Sequence, residues 1–146
     1  GRLTAADQEK IEEAIRYLNL GDIAGQYMDE LSGGQKQRAF LAMVVAQDTD
    51  YILLDEPLNN LDMKHAVQIM KTLRQLCDEK GRTIVMVIHD INFAAQYSDF
   101  IVALKDSRVA FFDTVERVIV PEVLEKVFDM RFKILETEGK KICNYY

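Results

Sequence analysis

The chain has 146 residues, enough for one domain or most of one, with 49% hydrophobic and 29% charged residues. Its net charge of −6 argues against nonspecific grip on nucleic acid, because the phosphate backbone rewards clustered Lys and Arg. No apolar run approaches the roughly 20 residues that cross a bilayer, and no apolar stretch follows a basic start, so neither a spanning helix nor a secretory leader is expected. The two cysteines, Cys77 and Cys143, lie far apart and outside any metal-ligand spacing, and are expected as thiols in a reducing cytosol.

Thr4 and Asp7 form a T-x-x-D capping signal. Ile11, Ala14, Ile15 and Leu18 follow at helical spacing, and Gly21 is expected to end the helix. A second helix is predicted from Ser32 to about Gln47. Tyr51-Ile52-Leu53-Leu54, ending in Asp55, is a continuous apolar run of the kind found in a buried parallel strand. Met63–Lys80 reads as a helix stopped by Gly81, Thr83–Ile88 as a second buried strand, Ile91–Tyr97 as a short helix and Phe100–Leu104 as a third strand. Alternating strands and helices imply βαβ units and a parallel sheet. Asp106-Ser107 is a predicted hairpin turn into Val109–Phe112, Pro121 opens a helix through Phe128, and Lys133–Tyr146 forms a hairpin turning at Glu138-Gly139.

Four places carry polar chemistry. In Leu31-Ser32-Gly33-Gly34-Gln35, Ser32 and Gln35 form a capping box. The two glycines weaken the first helical turn but leave its amides uncovered, which suits an anion. From the residues alone, a plain helix cap and an anion site both stand. Asp55-Glu56-Pro57 puts two carboxylates at the C-terminal edge of a strand, where open α/β sheets bind ligands. One can hold Mg²⁺ through water and the other can deprotonate an attacking water; a solvated strand end is the plainer reading. His89 follows the Ile84–Ile88 run and can either contact a phosphate or cap the next helix. Asn59-Asn60-Leu61-Asp62 reads as a turn with Asp62 as the N-cap of the Met63 helix, while His65 on that helix receives no role.

Together these segments resemble the ABC ATPase family over residues 1 to about 110. Leu31–Gln35 matches the family's signature motif letter for letter, Leu53–Pro57 looks like its Walker B strand with the catalytic glutamate, Leu61-Asp62 like its D-loop, and His89 like its switch histidine. The implied architecture is α/β, a partial P-loop NTPase fold with a parallel sheet and flanking helices. Residues 1-47 would be the end of the helical subdomain with the signature helix, 48-106 part of the catalytic core, and 107-146 a C-terminal hairpin, helix and terminal strands. The resemblance implies ATP and Mg²⁺, with Asp55 on the metal, Glu56 as general base and His89 on the γ-phosphate. Ser32, Gly33, Gly34 and Gln35 would bind ATP held by the second subunit of a head-to-tail dimer, with Asp62 at the interface.

The P-loop pattern G-x-x-x-x-G-K-[ST] is absent; the nearest stretch, Gly139-Lys140-Lys141, lacks the first glycine and the Ser/Thr. The chain is therefore expected to start midway through the helical subdomain and to be inactive by itself. In related folds a P-loop strand lies beside the strand before the switch histidine, so the Thr83–Ile88 edge is expected to be open and prone to association.

Leu58–His65 and the segment after Pro121 are similar to the ATPases of iron–siderophore importers. That resemblance implies permease partners in the membrane, an indirect substrate-binding partner, no nucleic acid, and a peripheral position on the cytoplasmic side of the cell membrane. The alternatives are a soluble ABC ATPase of translation or DNA repair, and a non-catalytic binding or regulatory module. The short spacing from Gln35 to Asp55 argues against the first, and the intact Glu56 and His89 against the second. Ser107 stands where that family usually has a turn glycine, and Phe111-Phe112 replaces a small, glycine-containing stretch, read as ordinary packing.

Overall fold

A computed structural model of the chain describes residues 3–146. The chain divides into two compact units, one ending at Val87 and one running Ile88–Tyr146.

The first unit begins with α1 (Ala5–Tyr17). Its cap is reciprocal: the Thr4 hydroxyl accepts the Asp7 N–H, and the Asp7 carboxylate accepts the Thr4 N–H. The helix stops earlier than the expected Gly21, because Asn19 turns the chain with φ 53°. Asparagine tolerates this left-handed geometry better than most residues. A single 3₁₀ turn, Met28–Glu30, leads to α2 (Gly33–Ala46), which packs on α1. β1 (Tyr51–Asp55) follows, then α3 (Met63–Lys80) and β2 (Thr83–Val87). In α3, Ala66, Ile69, Met70, Leu73 and Leu76 recur at intervals of three and four and are buried. Gly81 ends α3 at φ 62°. Lys80 pairs with Glu13, Lys10 with Asp48 at 3.1 Å, and Arg82 with both Asp48 and Asp50.

β1 and β2 pair in parallel, Leu53 opposite Val85, as a βαβ unit requires. The expectation that both strands are buried throughout is corrected. Ile52 and Leu54 are buried, whereas Tyr51 is 71% exposed, Leu53 77%, and Val85 and Val87 are exposed as well. A pleated strand sends alternate side chains to opposite faces, and only one face of this pair is covered. Among the described residues β2 pairs with β1 alone.

The second unit holds α4 (Ile91–Tyr97), β3 (Phe100–Lys105), β4 (Arg108–Thr114), α5 (Val115–Val118), α6 (Pro121–Phe128), β5 (Lys133–Thr137) and β6 (Lys140–Asn144). β3 pairs antiparallel with β4 rather than joining a parallel sheet. The two-residue turn decides this, since Asp106 and Ser107 both adopt positive φ, 50° and 59°, and fold the chain straight back. Phe112 lies exposed against Phe100, ring centroids 6.2 Å apart, so it packs locally on the hairpin surface rather than in a core. Ala95, Ile119, Leu124, Phe132 and Cys143 form the core. The Asn92 amide braces it: Oδ1 accepts the Cys143 N–H at 2.7 Å, and Nδ2 donates to the Cys143 carbonyl at 3.2 Å. Burial pushes the Cys143 thiol above its ordinary pKa.

Candidate functional site

The signature segment sits at the start of α2. Ser32 is extended (φ −63°, ψ 163°), and its Oγ accepts the Gln35 N–H at 3.3 Å. Gln35 Oε1 in return accepts the Ser32 N–H at 2.9 Å. The capping box expected from the sequence is therefore closed in both directions. The first amides of a helix have no partner within it, and nothing lies within 4 Å of where a Cβ on Gly33 would stand. The backbone there is open to a ligand, and the positive end of the helix faces the same way.

Asp55 ends β1 and is exposed. Glu56 is half-buried and takes φ 46°, an uncommon conformation for a residue with a Cβ. Its N–H donates to the Val87 carbonyl at 3.1 Å, which ties the turn to the end of β2. The Asn59 amide donates to Glu56 Oε2, and the Asn59 N–H donates to the Glu56 carbonyl at 3.1 Å. Two adjacent carboxylates thus stand in different settings: Asp55 exposed at the strand end, Glu56 turned aside and held by Asn59.

The loop finishes at Asp62, the N-cap of α3. Asp62 Oδ1 accepts the His65 N–H at 2.9 Å, and Oδ2 lies 2.8 Å from His65 Nδ1. These contacts hold the Asp62 carboxyl below its usual range, first through the His65 backbone amide and then through the ring. Gln37 Nε2 donates to the Pro57 carbonyl at 2.5 Å. The first unit thereby gathers the start of α2, the turn at Glu56 and the start of α3. His89 is exposed, lies beyond the end of β2 just before the Asp90 N-cap of α4, and belongs to the second unit.

The ABC transporter family profile matches residues 2–59. The chain is 56% identical over all its 146 residues to the petrobactin import ATP-binding protein YclP of Bacillus subtilis (strain 168). It is 52% identical over 145 residues to the petrobactin import ATP-binding protein FatE of Bacillus anthracis. The chain is similar to ATP-binding proteins of ABC transporters. The chain spans 58% of the length of each of those two relatives. Among solved structures, the dimeric bacterial ABC transporter cassette MJ0796 superposes with a TM-score of 0.67 at 33% identity, covering 79% of this chain and 50% of that one. A proposed metal-chelate type ABC transporter in an inward-facing conformation superposes over the whole chain and 59% of its own, with a TM-score of 0.88 at 23% identity, a likeness of fold.

His65 is the site residue that sequence reasoning passed over. Asp62-x-x-His65 places a histidine where a capping box usually carries Glu or Gln, and that spacing was the available signal. His65 is half-buried.

Proposed function

We infer that the intact protein is the ATP-hydrolysing subunit of a bacterial importer of iron–siderophore complexes. The carrying observation is that the signature segment, the Asp55-Glu56 strand end and the Asp62 cap occur in family order and stand at one helix start, one strand end and the next helix start. The petrobactin import relatives support the substrate class.

In this reading Glu56 is the general base. The Asn59 contact steadies its carboxylate, which takes a proton as the water oxygen attacks the γ-phosphorus and the bond to the bridging oxygen breaks, releasing ADP. His89 contacts the γ-phosphate and helps align that water. Ser32, Gly33, Gly34 and Gln35 bind the γ-phosphate of ATP held by the partner in a head-to-tail dimer, and Asp62 faces the partner. Asp55 offers one exposed carboxylate, and no group of three metal-ligating side chains gathers among the described residues. That donor set suits Mg²⁺, which keeps several waters and shares substrate phosphates, better than a caged ion. Bound there, Mg²⁺ would neutralise phosphate charge.

The 1-47, 48-106 and 107-146 segments then serve as signature subdomain, catalytic core part and C-terminal region. The intact subunit docks peripherally on permease subunits at the cytoplasmic face, with a substrate-binding protein acting through them. The 146 residues contain no P-loop pattern, and this chain alone is inactive.

The test is ATP turnover by the intact subunit reconstituted with its permease in liposomes. Glu56→Gln is expected to lower kcat by about 100-fold or more with ATP binding retained. Parental turnover in Glu56→Gln would sink the catalytic assignment.

A further inference from the structure

The start of α2 and the loop between β1 and α3 are fastened together at two points. At one, Gln37 Nε2 donates to the Pro57 carbonyl at 2.5 Å, a bond across 20 residues of chain. At the other, the His65 ring stands between the Asp62 carboxylate and the backbone of Gly34. A Cβ on Gly34 would come within 3.4 Å of ring atoms Cγ and Cδ2 and 3.5 Å of Nδ1. The Nδ1 contact to Asp62 Oδ2 is 2.8 Å. An ionised carboxylate only accepts, so Nδ1 carries the proton in this contact. With Oδ1 taken by the His65 amide and Oδ2 by the ring, both oxygens of Asp62 are engaged and its rotamer is fixed. The imidazole side chain is 36% exposed and the Asp62 side chain 64%, so the contact lies at the surface.

We propose that His65 is a positioning residue that locks the Asp62 loop to the glycine backbone of the signature helix, with Gln37 as a second anchor. The proposal rests on the functional reading above, in which Gly34 and Asp62 serve one composite site. Two elements that meet a partner's nucleotide must arrive in register, and a shift of about 1 Å in such a site costs up to about 100-fold in rate. Gly34 has a packing reason as well: a side chain larger than alanine would have to displace the ring.

His65→Ala separates positioning from folding, because the Asp62 cap is completed by the backbone amide of residue 65, which alanine retains. His65→Asn restores a donor on Cγ in the place of Nδ1. In the reconstituted intact complex, His65→Ala is expected to lower kcat about tenfold, with KM for ATP changed less than about twofold and Tm within about 2 °C of the parent. His65→Asn is expected to recover at least half of the lost rate. Gln37→Ala is expected to have a smaller effect, and the double variant to depart from additivity because the anchors share one interface. A kcat for His65→Ala within twofold of the parent overturns the proposal. So does a parallel fall of Tm and kcat that His65→Asn fails to rescue, since that marks a structural histidine. Glu56→Gln run alongside separates the two readings. If it abolishes turnover while His65→Ala does not reduce it, only the positioning role fails; if it leaves turnover intact, the catalytic reading fails first.

Discussion

Residues 3–87 and residues 88–146 spend their polar contacts differently. In the first unit, Gln37 meets Pro57 and His65 meets Asp62 and Gly34 around the loop after β1, apart from the ion pairs of Lys10, Lys80 and Arg82. In the second, they brace a core: Asn92 clamps Cys143, and Gln96 Nε2 donates to the Lys141 carbonyl at 2.9 Å, fastening α4 to β6. The first unit also leaves one face of its sheet uncovered, while the second surrounds Ile119 and Leu124 on all sides. Contacts that hold a loop in place cost little stability when removed; contacts that satisfy half-buried backbone cost more.

Three experiments probe that contrast. The largest effect is expected within one strand of the first unit. Leu54→Ala empties a buried position and should lower unfolding free energy by about 2–5 kcal/mol, whereas Leu53→Ala, one residue earlier on the open face, should cost less than about 0.5 kcal/mol. Chemical denaturation reads both, and equal losses would mean that the exposed face is covered in solution. Sedimentation of the same samples tests whether the open face and edge drive association, with Leu53→Lys expected to reduce it.

A smaller loss is expected from Asn92→Ala, which strands the N–H and carbonyl of Cys143 in a half-buried setting and should cost about 1–3 kcal/mol. A cost below about 0.5 kcal/mol would show that water replaces the clamp, and the contrast between the units would lose its basis.

The least costly perturbation is pH. Asp7, Glu13, Asp48, Asp62 and Asp78 all have lowered pKa values, each through hydrogen bonds to its partners, and all lie in the first unit. A depressed carboxylate contributes stability above its unfolded pKa and loses it as pH falls through the folded value. The first unit should therefore loosen between about pH 5 and pH 2. Cys143 in the second unit is raised by burial. Its contribution is intact below the ordinary thiol range and is lost as pH rises past about 9. Residue-resolved NMR across both windows should show acid loss beginning before Val87 and alkaline loss beginning after it. Simultaneous loss in both units at either end would contradict this division.

Much of the site could be read from local pattern. Thr4-x-x-Asp7, Ser32-x-x-Gln35 and Asp62 each announce a helix start because a cap is completed within four residues. Gly81, Glu138-Gly139 and Pro121 likewise act through their own backbone preferences. The contact between His65 and Gly34 was not legible, because periodicity shows which face of a helix a residue occupies and not which backbone it meets. The 51-residue span from Asn92 to Cys143 was hidden for the same reason. Nor could an apolar run reveal that only Ile52 and Leu54 would be covered, since a strand's hydrophobicity names no partner for either face.

Local sequence sets where the capped helices start, the Asp106-Ser107 turn that folds β3 back on β4 and the letters of the motifs, because caps, left-handed turns and motif letters act over a few residues. Folding alone brings Asn92 to Cys143 and sets the His65 ring between Asp62 and the signature helix. Those outcomes depend on which distant backbone groups come within hydrogen-bond reach, and that distance exists only once the chain has folded.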